Sequence, residues 1–221
     1  MAKKRKKNKK VSARKRTTRK TASKNNKTLR LLSYMVSYEP IEDSTVPDEI
    51  GDELDSLFEK AQKTPGAIIE RLEELVKQYP KVPKLYNYIS VAYSHLNDQV
   101  KSKYWVEQNY LKNPDYLFAK LNYAEVCMIE GKYEKVPEIL DNKFDIKLLY
   151  PGREVFHITE VVNFMGIVGS YFVLAGNKEQ AEFFYRSLKD LAPGHPHTKK
   201  LKHQLLMSSL KSGMNKLMGR R

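Results

Sequence analysis

The chain contains a single cysteine, Cys127, among its 221 residues. One thiol excludes an intrachain disulfide and every metal motif that needs a pair of cysteines, and it fits a reducing compartment. No run approaches the roughly eighteen consecutive apolar residues that span a bilayer, and residues 1–30 lack the apolar core of a secretory signal. The sequence therefore predicts a cytoplasmic protein without a transmembrane segment.

Acidic residues are missing from both ends of the chain. Residues 1–30 carry fifteen Lys and Arg, and the first acid is Glu39. Residues 191–221 carry seven basic residues and no acid, whereas residues 31–190 carry 26 acidic and 18 basic residues. The net charge of +14 therefore comes from two basic ends that flank an acidic central part.

The basic N-terminal end also lacks aromatic residues. Residues 1–28 contain none, and few of their residues are apolar. Such a segment cannot bury enough surface to offset the entropy of ordering it. We predict a disordered Lys/Arg-rich tail over residues 1–38. Leucines and tyrosines return within residues 29–47, which either pack on the following domain or form a docking peptide for another molecule.

Prolines and glycines recur at regular intervals from residue 48 onward. Pro80 and Pro114 each close an apolar helical stretch and stand 34 residues apart. Gly131 and Gly176 fall where turns between paired helices are expected, and Pro193 follows Gly176 by 17 residues. A period of 34 residues is typical of stacked helix pairs. An insertion near residues 141–153 separates the last two pairs, and we expect the helix after it to begin near Glu154.

The positions within each period strengthen this pattern. The last unit has large and small residues in the order Met165, Val168, Gly169, Phe172, Ala181, Tyr185 and Pro193. The unit before Pro114 reads Tyr86, Ile89, Ser90, Tyr93, Ser102 and Val106. The third unit reads Tyr123, Ala124, Cys127, Val136 and Leu140, and the first is the least regular. Over residues 48–195 the chain resembles the tetratricopeptide repeat family.

The resemblance implies an all-α helix-turn-helix repeat solenoid of about four helix pairs. We place this domain at residues 39–195. Residues 196–221 form a capping helix, amphipathic over 198–218, with a basic end, since a terminal repeat needs a cover for its stacking face.

The resemblance also implies a concave groove that takes a peptide or helix of a protein partner. By register, the groove residues are Asn87, Val91, Ser94, His95, Phe118, Leu121, Glu125, Met128, Ile129, Asn163, Ser170 and Val173. The middle row, on the first helix of the third unit, is apolar for a surface, which favours an apolar ligand. The alternative is that the capping helix or residues 29–38 already cover this face.

The tail offers a second way to bind. Its basic residues are Lys3, Lys4, Arg5, Lys6, Lys7, Lys9, Lys10, Arg14, Lys15, Arg16, Arg19 and Lys20. A flexible polycation binds nucleic acid or another polyanion without sequence preference, because contacts to phosphate release counterions. The same run resembles a nuclear-import signal or an anionic-membrane tether. The alternative function is therefore a nucleic-acid- or ribosome-associated factor in which the tail is the primary binding element.

No set of residues predicts catalysis. Gly166 and Gly169 lie in a helical pattern and not in a phosphate-binding loop. Cys127 occupies a core position of a repeat helix. His195, His197 and His203 have no carboxylate or cysteine to complete a metal site, and loop histidines are the better interpretation. We predict a non-enzymatic protein that needs no cofactor and no metal.

Overall fold

The computed structural model describes residues 32–39 and 45–218. Helices make up 73% of this part of the chain, which confirms the predicted all-α class. Its helices are α1 Asp48–Lys63, α2 Ile69–Gln78, α3 Pro83–His95, α4 Gln99–Lys112, α5 Leu117–Ile129, α6 Val136–Ile139, α7 Ile146–Leu149, α8 Ile158–Leu174, α9 Lys178–Leu191 and α10 Pro196–Met218. Two short strands, β1 Met35–Ser37 and β2 Val155–His157, complete the described elements.

Several helices end just before the prolines and glycines that were expected to end them. Helices α2, α4 and α9 each end two residues before a proline, at Gln78, Lys112 and Leu191. Gly131 and Gly176 have φ values of 77° and 74°. Glycine adopts this left-handed conformation without the steric cost that a side chain would impose, so the chain can turn after α5 and α8.

Buried apolar residues hold the helices together. Helices α1, α2 and α3 bury one apolar cluster that includes Leu72, Leu85 and Ile89. Helix α8 is apolar on almost every side, and 11 of its 17 residues are buried. A helix of that kind must be covered all round. Helices α5, α9 and α10 supply the cover.

The third helix pair is shorter than the sequence predicts. Helix α6 has only four residues and ends at Ile139, so Leu140 lies outside it. The insertion contributes the short helix α7, and α8 begins at Ile158 after β2, later than the expected start near Glu154. The buried side chain of Lys120, in α5, donates a 3.1 Å hydrogen bond to the Ile139 carbonyl. A lysine there satisfies an orphan carbonyl at the helix end.

The segment before the helical domain packs on the insertion. Strand β1 pairs with β2 in parallel, with Val36 opposite Phe156. The Leu32 amide donates a 2.6 Å hydrogen bond to the buried carboxylate of Asp145. The Tyr34 ring meets the Phe156 ring edge-on at 5.3 Å. Residues 32–37 therefore pack on the domain, which is one of the two alternatives for residues 29–47, although the predicted tail includes them. Residues 1–31 lie outside the described residues.

Candidate protein-binding surface

Helix α3 presents part of its predicted row to solvent. Val91, Ser94 and His95 are exposed. Asn87 is half-buried, and its amide oxygen accepts hydrogen bonds from Asn109 at 3.0 Å and Asn122 at 3.3 Å. Its amide oxygen is therefore engaged between α3, α4 and α5, and the accessible part of this row is the C-terminal half of α3.

Helix α5 divides its row between core and surface. Leu121 is only 2% exposed and is a core residue, so it cannot contact a ligand directly. Phe118 and Met128 are half-buried, and Ile129 is 70% exposed at the helix end. The Glu125 carboxylate accepts a 2.5 Å hydrogen bond from Lys200 of α10. The accessible apolar part of α5 is therefore its C-terminal end.

Helix α10 covers most of the predicted row on α8. The Asn163 amide oxygen lies 3.0 Å from Nε2 of His197, and the Ser170 hydroxyl donates a 2.8 Å bond to the Gln204 side chain. Ser170 is 2% exposed. These two predicted groove residues therefore bind the capping helix, which is the alternative that the sequence left open for this face. The physical reason is the absence of side chains at Gly166 and Gly169, which allows α10 to approach closely.

The last residues of α8 form an open groove with the distal half of α10. Its volume is about 860 Å³. The lining residues are Val173, Leu174, His203, Gln204, Met207, Ser208, Leu210, Lys211 and Met214. Met207, Leu210 and Met214 are 51%, 54% and 60% exposed, respectively. Of the residues predicted for the concave face, Val173 is the one that lines this groove. We call it the α8–α10 groove.

The apolar residues of α10 are predicted from the sequence to form a cap, and the sequence does not predict their exposure at the surface. The signal was their number, since α10 has more apolar positions than packing on α8 and α9 can cover. Within α10, Leu201 is fully buried, whereas Leu206 is 57% exposed. A contiguous group of exposed apolar side chains, such as Met207, Leu210 and Met214, marks a candidate interaction surface.

A second cavity, of about 450 Å³, lies between α4 and α5. Lys103 and Lys132 both donate to the Glu130 carboxylate at its rim. Cys127 lines it but is buried, and burial raises the pKa of its thiol. A thiol of that kind is a poor nucleophile at neutral pH.

The described residues contain no group of three or more His, Cys, Asp or Glu side chains placed to hold a metal ion. Within the same part of the chain, no helix is long and apolar enough to cross a membrane. The predicted nucleic-acid-binding residues, from Lys3 to Lys20, lie outside the described residues.

Comparisons with known proteins do not name a relative. No family model matches the chain, and no curated protein or solved structure matches it significantly. The class that can be stated is a mostly helical protein of the all-α class. The resemblance to the tetratricopeptide repeat family stays a prediction.

Proposed function

We propose that this chain is a non-enzymatic scaffold that binds a protein partner through the C-terminal ends of α3, α5 and α8. Each of these is the first helix of a predicted pair. The observation that carries the proposal is the exposure of apolar residues at these ends. Helices α5 and α8 pack against each other, and each ends in an exposed apolar residue, Ile129 and Leu174. Val91, near the end of α3, is exposed as well.

The chemistry of this surface favours protein over small-molecule recognition. Exposed apolar side chains gain free energy when a partner removes them from water, at about 25 cal/mol per Å² of apolar area. Small ligands usually occupy enclosed pockets with a few convergent polar groups. The helix ends are instead open and flanked by polar residues such as Ser94 and His95. That arrangement resembles the apolar centre and polar rim of a protein interface.

The basic tail supports a second candidate function. Fifteen Lys and Arg within residues 1–30 can neutralise phosphates of RNA or DNA, and such binding weakens steeply as salt rises. In that case the helical domain is a scaffold that positions the tail. Deleting residues 1–31 separates the two functions, because it removes the basic residues of the tail and retains strand β1 for pairing with β2.

The test is affinity capture from a cell lysate, with and without nuclease. Four baits are compared: residues 1–221, residues 32–221, and the full chain with Val91→Glu and Ile129→Glu together or with Gln62→Glu alone. Gln62 is exposed on α1 and serves as the matched control for an added surface charge. A partner that survives tail deletion and nuclease but is lost with the Val91 and Ile129 changes supports the scaffold. Loss of every captured protein with the tail or with nuclease supports the second function and contradicts the first.

A further inference from the structure

The distal half of α10 carries an apolar stripe that nothing in the described chain covers. Met207, Leu210 and Met214 are spaced by three and four residues, so they lie on one face of the helix. Val173 and Leu174 form the opposite wall at the end of α8. From Met207 to Met214 the stripe spans about two helical turns, or roughly 10 Å. The groove is therefore long enough to hold the apolar face of another helix.

The charged side chain that lines the α8–α10 groove is basic. It belongs to Lys211, and residues 191–221 contain no acid. Glu125, on α5, is already paired with Lys200 at 2.5 Å. The basic side chains that flank the stripe therefore have no acid of their own helix to balance them. A ligand that places carboxylates beside its apolar face would complement both features of the groove.

The same charge decides between the available occupants. Two copies of this chain that paired through α10 would bring two acid-free, lysine-bearing helices together, and like charges across an interface are destabilising. An anionic membrane needs an apolar face that protrudes from the protein. Here the apolar residues line a groove with two walls, which fits an inserted helix better than a flat bilayer surface.

We propose that the α8–α10 groove binds an acidic amphipathic helix of a partner protein. The helix inserts apolar residues at positions i, i+3 or i+4, and i+7 between α8 and α10, in the manner of helix-in-groove recognition. Glu or Asp residues beside that stripe pair with Lys211, which lines the groove. The inference rests on the proposed scaffold function and names the chemistry of the partner.

The test uses three labelled peptides of about eighteen residues, long enough for several helical turns. The first has a leucine stripe flanked by glutamates, the second replaces the leucines with serine, and the third replaces the glutamates with lysine. Fluorescence anisotropy at physiological salt measures their binding to the full chain and to its Leu210→Glu, Lys211→Glu and Gln62→Glu variants. Because Leu210, Lys211 and Gln62 are exposed, the variants should fold, and circular dichroism checks this.

We expect the acidic peptide with its leucine stripe to bind at least about tenfold more tightly than the other two peptides. Leu210→Glu and Lys211→Glu should each weaken it about tenfold, whereas Gln62→Glu should not. The serine peptide controls for the basic tail, which would bind any acidic peptide with or without leucines. Equal binding of the acidic and serine peptides, or no effect of Leu210→Glu, would overturn the inference.

Two further measurements test the other possible occupants of the groove, a second copy of the chain and an anionic membrane. Self-association that Leu210→Glu abolishes, seen by sedimentation, would assign the groove to a second copy and overturn the proposal. Binding to vesicles of anionic phospholipid that Leu210→Glu abolishes, with no preference among the peptides, would assign it to a membrane and overturn it equally. If the peptides fail but a captured partner still depends on Val91 and Ile129, only the acidic-helix inference falls and the scaffold function stands.

Discussion

The imidazole Nε2 of His197 lies 3.0 Å from the amide oxygen of Asn163, so a hydrogen bond joins α10 to α8. The ring rests over Gly166, where an added Cβ would lie 2.5 Å from the imidazole Cγ. This contact places the capping helix directly on the helix that was expected to form one wall of the binding groove.

Acidification should destabilise the domain through this buried imidazole. Burial lowers the pKa of His197, and the nearby His195 and Lys200 lower it further, against the opposing effect of Glu125. The unfolded chain therefore takes up the proton at higher pH than the folded chain does. The free energy of unfolding should be greatest above about pH 6.5 and should fall as the pH drops below it, until the folded imidazole is itself protonated.

Urea unfolding between about pH 8 and pH 5 measures this effect. His197→Gln should reduce the pH dependence of stability, and His203→Gln, at an exposed position, serves as the control. A pH profile that is identical for wild type and His197→Gln would contradict the assignment.

Gly169→Ala should destabilise the domain. The new Cβ would lie 2.5 Å from Cδ2 of Leu201 and 3.2 Å from Cβ of Phe184, and both residues are fully buried. Overpacking of this kind costs about 1–3 kcal/mol, which outweighs the roughly 1 kcal/mol that alanine gains over glycine in a helix.

Thermal or urea unfolding checks the sign of that change. Gly51→Ala in α1 is the matched control, because open space surrounds its Cβ and only the helical gain should appear. In a Leu201→Ala background the cost of Gly169→Ala should shrink. An unchanged cost in that background would show that Leu201 is not the residue responsible.

Arg153→Ala should leave a buried carboxylate without its main partner. The Arg153 guanidinium donates to both Glu160 oxygens, at 2.9 and 2.7 Å, and stacks 4.4 Å from the centre of the Phe156 ring. Glu160 is 5% exposed and also accepts from the His157 amide. We expect a loss of about 1–3 kcal/mol in the free energy of unfolding, since an unsatisfied buried charge is costly.

A double-mutant cycle with Glu160→Gln isolates this interaction. The Arg153→Ala change should cost less once the carboxylate is neutral, because no buried charge is then left unpaired. Additive losses across the cycle would mean that Arg153 acts mainly through its packing on Phe156.

Met35→Pro should release β1 from the domain. The Met35 amide donates a 2.9 Å hydrogen bond to the Glu154 carbonyl, and proline has no amide proton to replace it. Hydrogen exchange at the amides of residues 32–37 should accelerate, while exchange in α1 to α4 stays as in wild type. Unchanged exchange at residues 32–37 would show that β1 pairing does not depend on this bond.

The helical elements could be predicted from the sequence because their signals are local. Pro80 and Pro114 end their helices through missing amide protons, and Gly131 and Gly176 turn the chain through φ values closed to most residues. Each of these effects acts within a few residues. The all-α class and the ends of these helices follow from them.

The candidate surface could be predicted only in part. Val91 and Ile129 are exposed, but Leu121 and Ser170 are buried. Register on a helix specifies which residues share a face, but not whether a neighbouring helix lies on that face. For Ser170, that neighbour is α10, whose Gln204 accepts its hydroxyl proton.

The sequence by itself determined the all-α class, the helix ends that precede prolines and glycines, and the separation of basic ends from an acidic middle. Local backbone restrictions and charge depend only on which residues stand near one another in the chain. The tertiary structure alone decided that α10 covers most of the α8 row and leaves the α8–α10 groove open. It also decided that Leu32 reaches Asp145, 113 residues away. Such contacts depend on how whole elements pack, and no local pattern specifies which distant surfaces will meet.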